Sequence, residues 1–308
     1  MEEGSKKAIV AAFSANLGIA VAKLVGFFLT GAASMLAESI HSLADTGNQG
    51  LLLIGSRRAS RPPDERHPFG YASERFFWAF VVALVLFSLG ALFALYEGIQ
   101  KLISPHAIDS PAIGVGILVL AILLEGYSLR TAVQEAAHEK RGDESYWAFI
   151  HRTKTPELPV VLLEDTGALA GLVFALVGVG LAEVTGSSRW DALGSVAIGV
   201  LLAVIATVLA VKMKSLLVGE AADPEVVESV RRAVADGPEV ASLIHLRTLQ
   251  LGPDDVLVTA KVDFAGAPGE AEMAASIDRI ERRIRTAVPE ARLIFIEPDV
   301  ARPELVEP

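Results

Sequence analysis

The chain has 308 residues, of which 52% are apolar, and its mean hydropathy is +0.46. An ordinary soluble domain of this length is less apolar, so the composition excludes a purely soluble protein. The formal net charge of −10 argues against nucleic acid as a partner, and the lack of cysteine excludes disulfides and thiolate metal sites.

Six apolar stretches of about 20 residues each predict transmembrane helices in contact with membrane lipid. They cover residues 8–29, 34–54, 76–102, 112–133, 157–181 and 190–211. Lysine and arginine are concentrated before the first stretch, after the second and fourth, and after the sixth. By the positive-inside rule, both termini are predicted to face the cytoplasm. The short loops and the absence of a targeting segment predict a bacterial inner membrane.

The chain from Glu220 onward has the composition of a soluble domain, with 18 acidic and 10 basic residues. Its pattern predicts the order αββαβ, with helices at 224–235 and 270–288 and strands at 243–251, 256–264 and 293–296. Asp223 is the expected N-cap, since Pro224 takes the first helical position. Such an order fits a ferredoxin-like α+β domain whose helices cover one face of the sheet.

The predicted fold class is therefore an α-helical membrane protein with two domains. Six transmembrane helices occupy residues 1–214, and a cytoplasmic α+β domain for dimerisation or regulation occupies residues 215–308. A core built from about 80 residues is small, so association into a homodimer would help to stabilise it.

The second apolar stretch contains His41 and Asp45, which are four residues apart and therefore lie on one helix face. An imidazole and a carboxylate in this geometry can share one metal ion, although a structural hydrogen-bonded pair is the alternative. Ionisable side chains at membrane depth cost a few kcal/mol on insertion scales, and they normally face a polar interior where they act. The pair is thus a candidate site.

The fifth apolar stretch adds a second acidic pair, Glu164 and Asp165, which packing alone does not explain. His41, Asp45 and Asp165, with Glu164 as a possible fourth ligand, would form a mixed nitrogen and oxygen site. Three or four such ligands suit Zn²⁺ in tetrahedral geometry. A site richer in oxygen would also suit Mn²⁺, Fe²⁺ or Co²⁺.

Four motifs along the chain resemble those of the cation diffusion facilitators, the family that includes zinc transporters. They are AESIHSLAD at 37–45, RPPDERHPFGY at 61–71, WDALGS at 190–195 and SLLVGE at 215–220. The resemblance covers nearly the whole chain. It implies a six-helix bundle, a metallochaperone-like tail, a homodimer, and exchange of metal for protons by alternating access.

Residue by residue, the resemblance implies that His41, Asp45 and Asp165 are metal ligands. The family usually has histidine four residues before the fifth-helix aspartate, where this chain has Val161. Glu164, Glu38 or water would have to replace that ligand. The missing histidine leaves Mn²⁺, Fe²⁺ and Co²⁺ open beside Zn²⁺ as the transported ion.

The accessory metal sites of the family are largely missing from this chain. Asp64 and His67 match ligand positions in the loop after the second helix, but Tyr71 occupies the second histidine position. We expect this loop to be a polar turn that contacts the tail. In the tail, His245 is the only histidine, so a dinuclear site there is not expected.

Further polar residues in the apolar stretches have structural interpretations. Asn16 and Lys23 are expected to form hydrogen bonds between helices or to snorkel towards the membrane surface, and lining of the transport cavity is the alternative. Glu125 is expected to pair with a neighbouring base, and a role in passing protons is the alternative. Asn48 and Gln49, one turn beyond Asp45, are candidates for residues that support the metal ligands or line the path by which the ion enters.

The leading hypothesis is secondary active efflux of a divalent cation, Zn²⁺ first, from the cytoplasm in exchange for protons. The metal is then a transported substrate, and no organic cofactor is expected. The alternative is a membrane scaffold or metal-binding protein with a vestigial site. An intramembrane enzyme is not expected, because the sequence contains neither a His-Glu-x-x-His motif nor a Gly-x-Ser-x-Gly-like nucleophile with a suitably placed histidine.

Overall fold

The computed structural model describes residues 3–105, 111–266 and 268–302, with side chains from Leu17 onward except that of Pro111. The chain divides into two compact units. The first unit is formed by the described residues of 1–57, 77–151 and 156–214. The second is formed by those of 58–76, 152–155 and 215–308. The main division therefore falls after Lys214, and two short segments from between the helices belong to the second unit.

The first unit is a helical bundle. Its helices are α1 (Glu3–Thr30), α2 (Ala33–Ala59), α3 (Glu74–Val85), α4 (Phe93–Ile103), α5 (Pro111–Glu139), α6 (Tyr146–Arg152), α7 (Glu157–Thr185) and α8 (Arg189–Val218). A π-helical stretch, Leu86–Leu92, joins α3 to α4, so Glu74–Ile103 runs as one helix of 30 residues. Each of the six predicted stretches falls within a long helix.

The helices of this bundle differ in their hydropathy. Among the described residues, four helices are long and apolar enough to cross a membrane, namely Glu74–Ile103, Ala112–Glu139, Glu157–Thr185 and Arg189–Val218. Helix α1 has a shorter described apolar part, Leu17–Thr30. Helix α2 is 27 residues long, but its central polar residues lower its hydropathy. Large apolar side chains such as Phe28, Leu123 and Val184 are exposed on the bundle, as expected for contact with lipid.

Two details of the bundle were not predicted. The sequence predicts an uninterrupted α-helix across residues 76–102, whereas the structure widens it into a π-helix at Leu86–Leu92. The residues between the fourth and fifth long helices were predicted as loop, but Tyr146–Arg152 forms the short helix α6. Phe149 and Ile150 of α6 are buried against α5 and α7, so tertiary packing stabilises a helix too short to persist alone.

Helix α8 lies very close to two neighbours because glycine occupies the contact points. A side chain at Gly199 would meet the backbone of Leu95 and Ala91, and one at Gly194 would meet the carbonyl oxygen of Phe174. Small residues at such contacts allow helix backbones in a membrane to approach each other. These contacts hold α8 against α4 and α7.

A buried ion pair closes the bundle at the turn between α1 and α2. Asp191, at the start of α8, accepts hydrogen bonds from the backbone N–H groups of Ala33 (2.9 Å) and Ser34 (3.3 Å). Lys101 Nζ donates to Asp191 Oδ2 (2.8 Å) and to the carbonyl oxygen of Gly31 (2.9 Å). Gly31 has a φ of 63°, a conformation that favours glycine. Asp191 thus caps α2 from another helix.

The second unit contains a three-stranded sheet and two helices. They are α9 (Pro224–Ala235), β1 (Val240–Gly252), β2 (Asp255–Phe264), α10 (Glu270–Ala287) and β3 (Ala291–Pro298). The strand order is β1-β2-β3, with β1 antiparallel and β3 parallel to β2. This is the predicted αββαβ order, and Asp223 caps α9 by accepting from the N–H of Glu225 (3.0 Å).

The core of the second unit lies between one face of the sheet and the two helices. Alternate residues of β2 are buried, from Val256 to Phe264. They pack against Val230 and Val234 of α9 and against Ile280 and Ile284 of α10, with Ile294 of β3 at the side. The burial of these apolar side chains is the main favourable term for this small unit.

Candidate metal-binding site

Helix α2 places His41 and Asp45 on one face inside the first unit. The imidazole Nδ1 lies 3.5 Å from Asp45 Oδ1, and the histidine side chain is fully buried while that of Asp45 is 15% exposed. Both ring nitrogens of His41 and Oδ1 of Asp45 are buried without a hydrogen-bond partner. Buried polar atoms normally have partners, so an unpartnered set of this kind indicates atoms available to a ligand.

The acidic pair of α7 is held by neighbouring helices. Asn48 of α2 donates a hydrogen bond to Glu164 Oε1 (2.6 Å), and Ser128 of α5 donates one to Asp165 Oδ2 (2.9 Å). Glu164 is buried and Asp165 is half-buried. Asn48 therefore contacts a candidate ligand, as expected for an outer-shell residue.

The pair on α2 and the acidic pair on α7 are near each other, but their side chains do not surround one common position. Asn48 lies three residues after Asp45 on α2 and binds Glu164, so α2 and α7 meet beside both pairs. Within the described parts of the chain, however, no three His, Asp or Glu side chains are close enough to hold one ion together. Binding at three or four ligands therefore requires α2 and α7 side chains to move towards each other.

Lys23 of α1 also reaches this region, and the prediction that it snorkels is wrong. Its side chain is fully buried, and its Nζ donates to Ser42 Oγ (2.6 Å) and Glu38 Oε2 (3.2 Å). Glu125 lies 3.8 Å from the same nitrogen. The alternative prediction of hydrogen bonding between helices is confirmed for Lys23, and Glu125 has its basic neighbour. The side chain of Asn16 lies outside the described residues.

Two glycines beside the site were missed because their role depends on packing between helices. A side chain at Gly171 of α7 would collide with Glu38 Oε1, an oxygen that is buried and has no partner. At Gly90, in the π-helical stretch, a side-chain carbon would lie 3.9 Å from His41 Nδ1. π-Helical stretches are frequent at functional sites. The only sequence signal was glycine inside an apolar helix.

The loop after α2, in the second unit, is a self-contained polar turn. Asp64 Oδ1 accepts from the N–H groups of Arg66 (2.9 Å) and His67 (2.8 Å), and Oδ2 accepts from the Tyr71 hydroxyl (2.6 Å). The Tyr71 hydrogen bond holds the pKa of Asp64 below its ordinary value. Ser73 binds the carbonyl oxygen of Leu251 (2.8 Å), so the loop contacts the tail as predicted.

Comparison with known proteins supports this architecture. The family model described as the cation efflux transmembrane domain matches residues 9–218. The match spans more than half of the chain, so the protein belongs to the cation efflux family. The expected resemblance to cation diffusion facilitators is confirmed, and the protein is an integral membrane protein.

Individual relatives extend the similarity. The human proton-coupled zinc antiporter SLC30A9, mitochondrial, is 32% identical over 265 residues, which cover 86% of this chain and 47% of the relative. Metal tolerance protein C4 of Arabidopsis thaliana is 30% identical over 86% of this chain and 58% of its own length. Zinc transporter ZitB of Escherichia coli is 26% identical over 83% and 77%. The chain spans about half the length of the first two relatives.

Proposed function

We propose that this protein exports a divalent cation from the cytoplasm in exchange for protons, with Zn²⁺ as its main substrate. The observation that carries the proposal is the buried pair of His41 and Asp45, whose nitrogen and oxygen atoms lack partners. Glu164 of α7 is linked to the same helix by its hydrogen bond from Asn48 of α2. A membrane protein has little reason to bury such a set unless it binds a cation.

Proton exchange follows from the chemistry of these ligands. An imidazole and carboxylates bind a metal ion only when they are deprotonated, so metal and protons compete for the same atoms. On the cytoplasmic side, metal binding would release protons. On the opposite side, protonation of His41, Asp45 and Asp165 would release the metal, and the protonated site would return by alternating access.

The ligand set that we propose is His41, Asp45 and Asp165, with Glu164 as the fourth. Val161 is half-buried one turn before Asp165 and supplies no ligand. Glu164 would need to exchange its Asn48 hydrogen bond for the ion or use its other oxygen. One imidazole with three carboxylates suits Zn²⁺ and also accommodates Mn²⁺, Fe²⁺ and Co²⁺.

The names of the relatives support zinc and protons as the two substrates, since one is called a proton-coupled zinc antiporter and another a zinc transporter. We further propose a homodimer with both termini in the cytoplasm, residues 1–214 in the membrane and residues 215–308 as the cytoplasmic domain. The distribution of basic residues supports this orientation. Because the loops are short, we propose the inner membrane of a bacterium as the host membrane.

Reconstituted vesicles test the proposal directly. The full chain is placed in vesicles with a proton gradient, and uptake of Zn²⁺, Mn²⁺, Fe²⁺ and Co²⁺ is recorded together with the internal pH. We expect Zn²⁺ uptake with coupled proton movement. Asp45→Asn and Asp165→Asn should each reduce uptake by about 100-fold or more, since even an outer-shell partner typically contributes about 10–100-fold.

Glu183→Gln is the matched control, because Glu183 is an exposed carboxylate on the same helix α7. It should transport like the wild type. Glu164→Gln tests the fourth ligand, and unchanged uptake would remove Glu164 from the set. If folded wild-type protein moves none of the four ions, the transport proposal fails and a membrane scaffold with a vestigial site is favoured.

A further inference from the structure

We propose that Lys23 is a built-in counter-cation that weakens metal binding at the proposed site and so keeps the ion releasable. The inference rests on the proposed function and deepens it, because it concerns the affinity of that same site. It assigns a role to a side chain that the ligand set leaves out. The role is electrostatic, and Lys23 itself does not bind the metal.

Lys23 of α1 contacts the helix that carries two of the proposed ligands. Its ammonium group is fully buried and lies within 4 Å of Ser42 and Glu38 of α2 and of Glu125 of α5. Ser42 is the residue next to His41 in the chain. The contacts of Lys23 with Ser42 and Glu38 therefore place a positive charge against the part of α2 that carries His41.

Lys23 differs in its partners from the other buried lysines of the first unit. In the described part of the first unit, three lysines are buried: Lys23, Lys101 and Lys212. Lys101 is paired with Asp191, and Lys212 donates to the carbonyl oxygen of His151 (2.6 Å). Of these three lysines, Lys23 is the one that binds side chains beside His41 on α2, namely those of Ser42 and Glu38.

Glu38 has a hydrogen-bond partner for only one of its two carboxylate oxygens. One carboxylate oxygen of Glu38 binds Lys23, whereas the other is buried against Gly171 without a partner. Glu38 lies three residues before His41, so it belongs to the same helix face. While Lys23 holds one oxygen, Glu38 cannot turn fully towards an ion at His41 and Asp45. Lys23 therefore opposes the ion by its charge and by retaining Glu38.

Electrostatics predicts opposite effects for the two partners. A buried positive charge repels a divalent ion, and a buried carboxylate attracts it, with little screening by solvent. Removing the lysine charge should therefore tighten metal binding, whereas removing the Glu38 charge should weaken it. If the pair were only structural, either change would damage the same packing, and both would weaken binding.

Calorimetric titration of Zn²⁺ into the purified full chain, at one fixed pH and with a competing chelator, tests the inference. We expect Lys23→Met to lower the Kd about tenfold or more and Glu38→Gln to raise it about tenfold. The double variant Lys23→Met/Glu38→Gln should return close to the wild-type Kd. Lys212→Met is the control, since it removes another buried lysine charge from the same unit, and its Kd should not change.

Lys23→Met leaves carboxylates unpaired in the bundle. If this variant does not fold, the remaining variants decide the question. The double variant must then bind Zn²⁺ more tightly than Glu38→Gln, and Lys23→Arg, which keeps the charge, must bind like the wild type. The inference is overturned if the double variant binds no more tightly than Glu38→Gln, or if Lys23→Met weakens binding in a folded protein. If the wild-type protein itself binds no Zn²⁺, the proposed function is contradicted instead.

Discussion

Two buried lysine–carboxylate pairs in the helical bundle differ in how completely their partners are satisfied. Asp191 accepts from Lys101 and from the start of α2, and Lys101 uses a further bond to Gly31. Around Lys23, by contrast, Glu38 keeps one buried oxygen without a partner. The closed network of Asp191 and the open network of Lys23 thus occupy the same bundle.

This difference distinguishes residues that stabilise the bundle from residues that are available to bind an ion. A closed polar network fastens helices together because every donor and acceptor is used, and breaking it is costly. An open network leaves binding capacity for something else. The open atoms of Glu38 are accompanied by those of His41, Asp45 and Asn48, all in one region. We therefore expect changes to the first network to alter stability and changes to the second to alter metal affinity.

The largest expected effect is on the closed network. Asp191→Ala would strand the buried ammonium of Lys101 and remove the acceptor for two α2 N–H groups, so the bundle should lose about 3–5 kcal/mol of stability. Thermal and denaturant unfolding of the full chain in detergent measures this loss. Zn²⁺ affinity measured well below the unfolding transition should stay at the wild-type value. An altered affinity in a folded protein would break the separation between the two networks.

A smaller effect is expected at the open network. Gly171→Ala would place a methyl group against Glu38 Oε1, so the carboxylate whose other oxygen binds Lys23 must shift, and the bundle should lose about 1 kcal/mol. We expect a severalfold change in Zn²⁺ affinity as well, measured by the same titration. Gly180→Ala, on the same helix with open space at the added carbon, is the control. Identical behaviour of the two alanine variants would remove Gly171 from the open network.

The smallest effect is expected in the exposed loop of the second unit, where a closed network lies in water. Tyr71→Phe removes the main cause of the low pKa of Asp64, so that pKa should rise towards its ordinary value. The stabilisation from this hydrogen bond is present above the ordinary pKa of aspartate and lost as the pH falls through the lowered value. An NMR titration of the Asp64 carboxyl in both proteins measures the rise. An unchanged pKa would assign the shift to the backbone donors.

The sequence by itself determined most of the architecture, because the decisive patterns are local. Runs of about 20 apolar residues must become helices in lipid, and this placed all six long helices. Two apolar runs on either side of the turn at 252–255, and a proline after Asp223, marked elements of the tail. The spacing of four residues put His41 and Asp45 on one face, which the structure reproduces.

Only the tertiary structure decided which distant polar groups meet. Lys23 and Glu38 are 15 residues apart, and Asn48 and Glu164 are 116 apart, so no local pattern pairs them. The expectation that Lys23 snorkels was wrong because Glu38 of α2 and Glu125 of α5 lie beside its ammonium group inside the bundle. The capping of α2 by Asp191 and the π-helical stretch beside His41 depend likewise on helix packing, which the order of residues does not reveal.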